Sequence, residues 1–436
     1  MARHDMTSGL ARILLALASV LLVACSGANE PAAGEWQAVY DTIGDTVVVR
    51  TERGSVWGDT ARLVADLTIG QFEGPDEYMF GRVRSLAVAA DGAIYTFDSH
   101  ATELRKYGPD GTYLGTFGRE GGGPGEYKRP DGGLAVLSDG RVVLRDPGNT
   151  RLTVYSGEGE YLEGWRIRGS FNTSRRLYRD TADAVYPMIL LDPQADVTEW
   201  SYGLVRYSSD GQIGDTFPAP VYDFEPPQLV ARRQNEDGTS TSVNSVPFSP
   251  DDYWTFSPMG YMVGGLSTRY AIDLFLAPER VLRIERVNWE PVRVLPAEKE
   301  ERERISTANS RQTQPNWRWN GPPIPDTKPP FGGMLIGDTG RVWVLLHQEA
   351  YQIELAEDYN EPESLGEIPE RTWLEPVAFD VFEPEGRYLG MVRAPRGFST
   401  YPRPVIRGDT VWAVVRDDLD VPYIKRFHIE HGRDKT

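Results

Sequence analysis

The chain of 436 residues is 40% hydrophobic and 11% aromatic, ample for a large core, and its formal charge is −18. A field of that sign repels phosphate backbones, which argues against nucleic acid as a partner. Cys25 is the one cysteine, so no internal disulfide can form.

Residues 1–24 read as a presequence. Arg3 and Arg12 supply positive charge, and the apolar run at 13–23 (ILLALASVLLV) is far shorter than the ~20 residues a spanning helix needs. The run ends in Leu22-Val23-Ala24-Cys25, which resembles the bacterial lipobox, where the cysteine becomes the lipidated first residue of the mature protein. That resemblance implies an extracytoplasmic, membrane-anchored protein. Ser26, in place of Asp, implies the outer membrane where the bacterium has one. Each buried methylene of an acyl chain contributes ~0.8 kcal/mol, so several chains anchor stably. With Cys25 given to lipid, thiol catalysis is excluded. Residues 25–36 are expected as a flexible tether and 37–436 as the folded domain.

The domain repeats itself. Asp91-Gly92 recurs as Asp139-Gly140, Asp98 as Asp146 and Tyr107 as Tyr155, each 48 residues on. The glycine-rich run GREGGGPGEY (118–127) has a shorter copy in GQFEGPDEY (70–78), and it lacks the Lys-Ser/Thr ending of a phosphate loop. It therefore reads as a sharp link between repeats rather than a phosphate cradle. In the first repeat, strands are expected near 83–89, 93–97, 102–107 and 112–117, with turns at Asp91-Gly92 and Asp110-Gly111. Four strands in about 48 residues match one blade of a β-propeller.

Third strands are expected at 103–107, 151–155, 204–207, 281–284, 378–382 and 424–429, which gives an all-β, six-bladed propeller of four-stranded antiparallel blades. Little chain follows the last of these, so its outer strand is expected from the amino-terminal segment 63–69, closing the ring.

The stretch IYTFDSHATELRKYGPDGTYLGTFGREGGGPGEY resembles the NHL-repeat pattern, and DPGNTRLTVYSGEGEYL fits it equally well. The whole domain is similar to bacterial six-bladed propeller lipoproteins of the NHL/TolB-like kind. The resemblance is specific over 61–168, loose over 175–295 and fair over 331–430. It implies that Asp98, Asp146, Asn149 and Arg151 support blade turns. In the first repeat Ala101 and Glu103 replace the Asn and Arg, which puts that network in doubt there.

Turns between first and second strands, and between third and fourth, are tight throughout. Three long inserts, 228–245, 296–330 and 348–371, fall on the opposite face, where long loops are usually functional or disordered. Residues 296–304 predict a solvated helix with Glu298–Arg302 and Glu300–Arg304 pairs. On that face Trp317 and Trp319 are candidate aromatic plates, though such tryptophans more often pack an insert onto the ring. The pair Arg175 and Arg176 are candidate contacts for a carboxylate or phosphate, Arg416 is a further candidate ligand contact, and His100 and His347 are candidate base or metal ligands. No HExxH, GxSxG or CxxC pattern occurs.

These features predict a binding module that presents its long-loop face to a small ligand or protein partner, without a cofactor. The alternatives are a metal-dependent hydrolase, lactonase or lyase centred on the channel, and a structural envelope scaffold. The family resemblance makes calcium conceivable, but no calcium-loop spacing is present.

Overall fold

The tight turns organise the chain into meanders. In the computed structural model, which describes residues 35–168, 176–236, 238–355 and 367–432, Asp91-Gly92, Asp110-Gly111 and Asp139-Gly140 each reverse the chain. Gly92 and Gly140 take φ of 89° and 87°, a region in which a Cβ is disfavoured. The presequence, Cys25, most of the tether, Arg175 and part of the 348–371 insert lie outside the described residues.

The first sheet is Val83–Val88, Ile94–Asp98, Glu103–Tyr107 and Tyr113–Phe117, antiparallel and hydrogen-bonded in that order. The second repeats the order with Leu134–Val136, Val142–Asp146, Arg151–Tyr155 and Tyr161–Arg166. The third comprises Leu177–Arg179, Val185–Leu190, Tyr202–Tyr207 and Ile213–Pro218. The fourth begins with Asp252–Phe256, Met262–Leu266, Ala271–Ala277 and Arg280–Arg286. Residues 281–284, expected as a third strand, thus belong to a fourth. The third is Ala271–Ala277, and the turn between them carries its positive φ on Glu279 rather than on a glycine.

An eight-stranded sheet completes the set. One half is Phe331–Ile336, Val342–Leu346, Ala378–Phe382 and Tyr388–Arg393; the other is Val405–Arg407, Thr410–Arg416, Pro422–Glu430 and Ala61–Ile69. Ala61–Ile69 pairs antiparallel with Pro422–Glu430, so the front of the chain supplies an outer strand to its end. The two halves join only through Val392–Ala61 and Arg393–Arg62.

Successive sheets share cores. Phe97, Leu104 and Phe117 of the first pack with Leu134, Val142 and Tyr155 of the second. Comparable clusters join second to third, third to fourth, fourth to the 331–393 half, and that half to the 405–430 half. Trp412, Val414 and Ile424 then pack with Ile69, Val83 and Ile94, bringing the last unit back onto the first. Second strands such as Ile94–Asp98 and Val142–Asp146 are buried at every position because a sheet covers each face.

The amino-terminal segment does more than the sequence suggests. Gln37–Ile43 and Thr46–Arg53 form a hairpin, and Thr46–Arg53 runs parallel to Arg280–Arg286, adding two strands to the fourth sheet. Arg50 pairs with Glu285 at 2.9 Å. Val56 and Trp57 then donate backbone hydrogen bonds to Tyr388 and Leu389 at 3.1 and 2.8 Å. Together with Ala61–Ile69 this makes a belt across three neighbouring units.

Between sheets, the glycine-rich link is held by side chains of the second sheet. Arg151 donates to the Gly123 and Glu126 carbonyls at 2.5 and 2.7 Å, Asn149 to Gly121 at 2.9 Å, and Tyr155 to Gly125 at 3.1 Å. Asp146 accepts from the Lys128 and Arg129 amides and from Asn149. In the first sheet Asp98 accepts from the Gly81, Arg82 and His100 amides at 2.7, 3.0 and 2.8 Å. Arg105, two residues along from the Arg151-equivalent Glu103, donates to Met79 O at 2.9 Å and Glu77 O at 3.3 Å. Tyr107 adds a 2.5 Å bond to Glu77 O. The same linker tie is therefore made from a shifted position.

Candidate functional site

Innermost strands begin where inter-sheet links end, so the 228–245 and 296–330 inserts stand on the face from which those strands start. There they fold together. Residues 228–245, expected as a polar link, form a hairpin of Gln228–Asn235 and Gly238–Ser245. The helix Pro296–Thr313 packs beside it. Leu229, Ala231, Val246, Phe248, Val294, Trp317 and Ile324 make a separate small core. Arg232 reaches Asp196 of the third sheet at 2.9 Å. The result is a cap.

Buried charge fixes the cap to the 331–393 half. The helix carries only some of its acids as a solvated surface: Glu300 and Glu303 are exposed, but Glu298 and Glu301 are buried. Glu301 accepts from the Thr372 and Trp373 amides at 2.7 and 3.0 Å. Lys328, 1% exposed, places its ammonium 2.8 Å from Glu298, 2.9 Å from the Gln348 carbonyl and 3.4 Å from Glu375. It also lies 4.9 Å from the centre of the Phe248 ring. Glu375 in turn meets His347 Nδ1 at 3.0 Å and the Gln348 amide at 2.8 Å. Burial pushes the Glu375 carboxyl up, but its hydrogen bonds and the nearby His347 and Lys328 outweigh that and hold it below the usual value. A carboxylate so engaged is a structural anchor.

The expected site residues do not form one constellation. His347 sits in this anchoring network with its ring edge to Phe248, whereas His100 is an exposed turn residue of the first sheet. Trp317 is 2% exposed and donates to the Val230 carbonyl at 2.8 Å, so it is cap core and offers no plate to a ligand. Trp319 packs edge-on against it and donates to Pro322 O. Arg416 binds the carbonyl and carboxylate of Asp420 within its own loop at 2.8 and 3.0 Å. Arg175 lies outside the described residues.

Arg176 is different. Exposed, and immediately ahead of the innermost strand Leu177–Arg179, it donates to the Tyr178 hydroxyl at 3.3 Å. Arg403, which sequence reading passed over, arrives at the same phenol from the start of the 405–430 half. Its guanidinium carbon lies 5.3 Å from the Tyr178 ring centre, and it donates to Thr255 Oγ1 of the fourth sheet at 2.8 Å. Three units thus contribute to one point among the innermost strands. Burial raises the Tyr178 hydroxyl, but Arg176 and Arg403 outweigh it and hold it below the ordinary tyrosine value. Between the first and second sheets, Arg84, Ser99, Glu120, Lys128 and Arg129 line a separate cleft of about 420 Å³.

Among the described residues no three His, Cys, Asp or Glu side chains gather as a metal site requires, and no helix is long and apolar enough to cross a membrane.

No family model matches the chain, and no curated protein matches it. Solved structures do. A member of the DUF4221 family from Bacteroides vulgatus is 9% identical with a TM-score of 0.45, covering 86% of this chain and 99% of that one. Virginiamycin B lyase from Staphylococcus aureus is 10% identical with a TM-score of 0.38, covering 84% and 99%. The calcium-binding protein regucalcin from Agrobacterium tumefaciens is 12% identical with a TM-score of 0.36, covering 84% and 97%.

Proposed function

We propose that the chain is an extracytoplasmic lipoprotein, anchored through Cys25, whose six-bladed, NHL/TolB-like propeller binds a small ligand at its capped mouth. The cap carries this reading. Two inter-sheet inserts build one small core, and buried Lys328, Glu298 and Glu375 fasten it to the sheets beneath. A surface fixed in place in this way binds without reorganising. The metal-assisted hydrolase or lyase reading asks for carboxylates converging on the bore, and among the described residues the groups that converge there are guanidiniums. A lipobox cysteine supports export and anchoring, and Cys25→Ser should release the protein from membranes on fractionation.

Hydrogen exchange of the full-length protein, with and without a small-molecule extract of its native envelope, tests the binding role. Protection should cluster on the hairpin 228–245, the helix 296–313 and residues 367–376. Protection confined to the opposite face, at the 89–93 and 108–112 turns, would overturn it.

A further inference from the structure

The Arg176–Tyr178–Arg403 cluster is used by nothing described so far, and its charge is uncompensated. Other arginines in the interior have acids: buried Arg145 meets Asp131, and half-buried Arg283 and Arg286 meet Asp273 at 2.6 Å and Asp380. At the far ends of the same two innermost strands, Arg179 and Arg407 donate to the Val136 and Ala89 carbonyls at 2.7 and 2.6 Å. Neither Arg176 nor Arg403 has a carboxylate within 4.0 Å among the described residues. The stretch just before Arg176 in sequence, 169–175 (GSFNTSR), contains no acid. Two unpaired guanidiniums side by side repel each other, and they do so in a chain whose formal charge is −18.

Their donors remain available. A guanidinium carries five N–H donors in a planar fork. The bonds described for Arg403 and Arg176 engage Thr255 and the Tyr178 hydroxyl. Arg176 is exposed to solvent, yet protein surrounds it closely enough to desolvate it, which describes the wall of an open bore. Arginine forks at such a place match planar or tetrahedral oxyanions.

We propose, building on the binding role above, that the mouth holds the carboxylate or phosphate group of a small anionic ligand between the Arg176 and Arg403 guanidiniums, with the Tyr178 hydroxyl as a third polar contact. The acidic exterior would then select against large polyanions while the bore selects for a small one.

The test titrates inorganic phosphate and succinate separately into the full-length protein at low ionic strength, by calorimetry. At least one should bind, and the preferred probe identifies a phosphate or a carboxylate ligand. Arg176→Gln and Arg403→Gln should each weaken it at least tenfold, while Arg403→Lys, which keeps the charge but loses the fork, should weaken it less. A second readout does not depend on affinity: the tyrosinate absorbance of the protein minus that of Tyr178→Phe. Bound oxyanion offsets the guanidinium field, so Tyr178 should ionise at higher pH when the probe is present. Absence of binding by both probes, or binding that neither Gln variant alters, overturns the proposal. In that event, cap protection by another ligand in hydrogen exchange leaves the broader role standing; without such protection both fall.

Discussion

Replacing Lys328 with methionine tests whether buried charge holds the cap. The stem length is kept and only the ammonium goes. Its loss strands Glu298, whose side chain is fully buried and 2.8 Å away, and removes a neighbour 3.4 Å from Glu375. Among the hydrogen bonds of the described residues Glu298 keeps that from the Leu295 amide, at 3.3 Å, with the Arg371 charge as its remaining cationic neighbour. Breaking a buried ion pair on one side costs about 3–5 kcal/mol, and about 1.4 kcal/mol is a factor of ten. The cost should appear where the pair acts, on the helix Pro296–Thr313. Its amides should exchange about a hundredfold faster or more, while strands such as Val142–Asp146 stay protected. Adding Glu298→Gln, which removes the stranded charge, should restore most of the protection. Helix exchange within about threefold of the parent protein in Lys328→Met would refute the idea that this network is the fastening.

Three further outcomes follow from the same structure. Glu375 is held below its usual carboxyl range, so it contributes stability above its unfolded value of about 4.3 that is lost as pH falls through its folded value; thermal melts from pH 6 to 3 should show a shallower acid decline in Glu375→Gln. Asp380 accepts from Tyr270 and Tyr388 at 2.7 and 2.6 Å and pairs with Arg286, so Asp380→Asn should cost about 3–5 kcal/mol in denaturant titration, and a loss under about 1 kcal/mol would contradict the pairing. Arg105→Ala should cost about 1–3 kcal/mol by taking its donor from the half-buried Met79 carbonyl, Glu77 O keeping the Tyr107 hydroxyl, whereas alanine at exposed Arg82 should change stability by less than about 0.5 kcal/mol.

What was legible in the sequence was whatever is decided locally. Asp91-Gly92 and Asp139-Gly140 announce their turns because positive φ is a single-residue requirement, and the flanking strands fall within a residue or two of expectation. The fourth sheet misled because Glu279 makes the equivalent turn without glycine. The hairpin of Gln37–Ile43 and Thr46–Arg53 has a partner more than two hundred residues on, and no local pattern names it. Glu298 and Arg302 sit four residues apart as a solvated pair would, yet Lys328 and the Thr372 amide, from other segments, decide that Glu298 and Glu301 face inward.

The site follows from the same distinction. Repetition reveals the ring because every unit solves one packing problem with one pattern. A ligand site must differ from unit to unit, since identical positions repeated around the ring could not give it one orientation. The residues just before the innermost strands are Arg82, Gly133, Arg176, Asp251, Phe331's neighbour Pro330, and Pro404, which follows Arg403. That irregular set carries no periodic signal, so Arg176 stood out only for its neighbour Arg175, and Arg403, between Pro402 and Pro404, did not stand out at all. Their convergence on Tyr178 is set by closure of the ring. The oxyanion site proposed there would therefore be a property of the assembled ring, and it should vanish on any change, such as loss of the outer strand Ala61–Ile69, that lets the last unit part from the first.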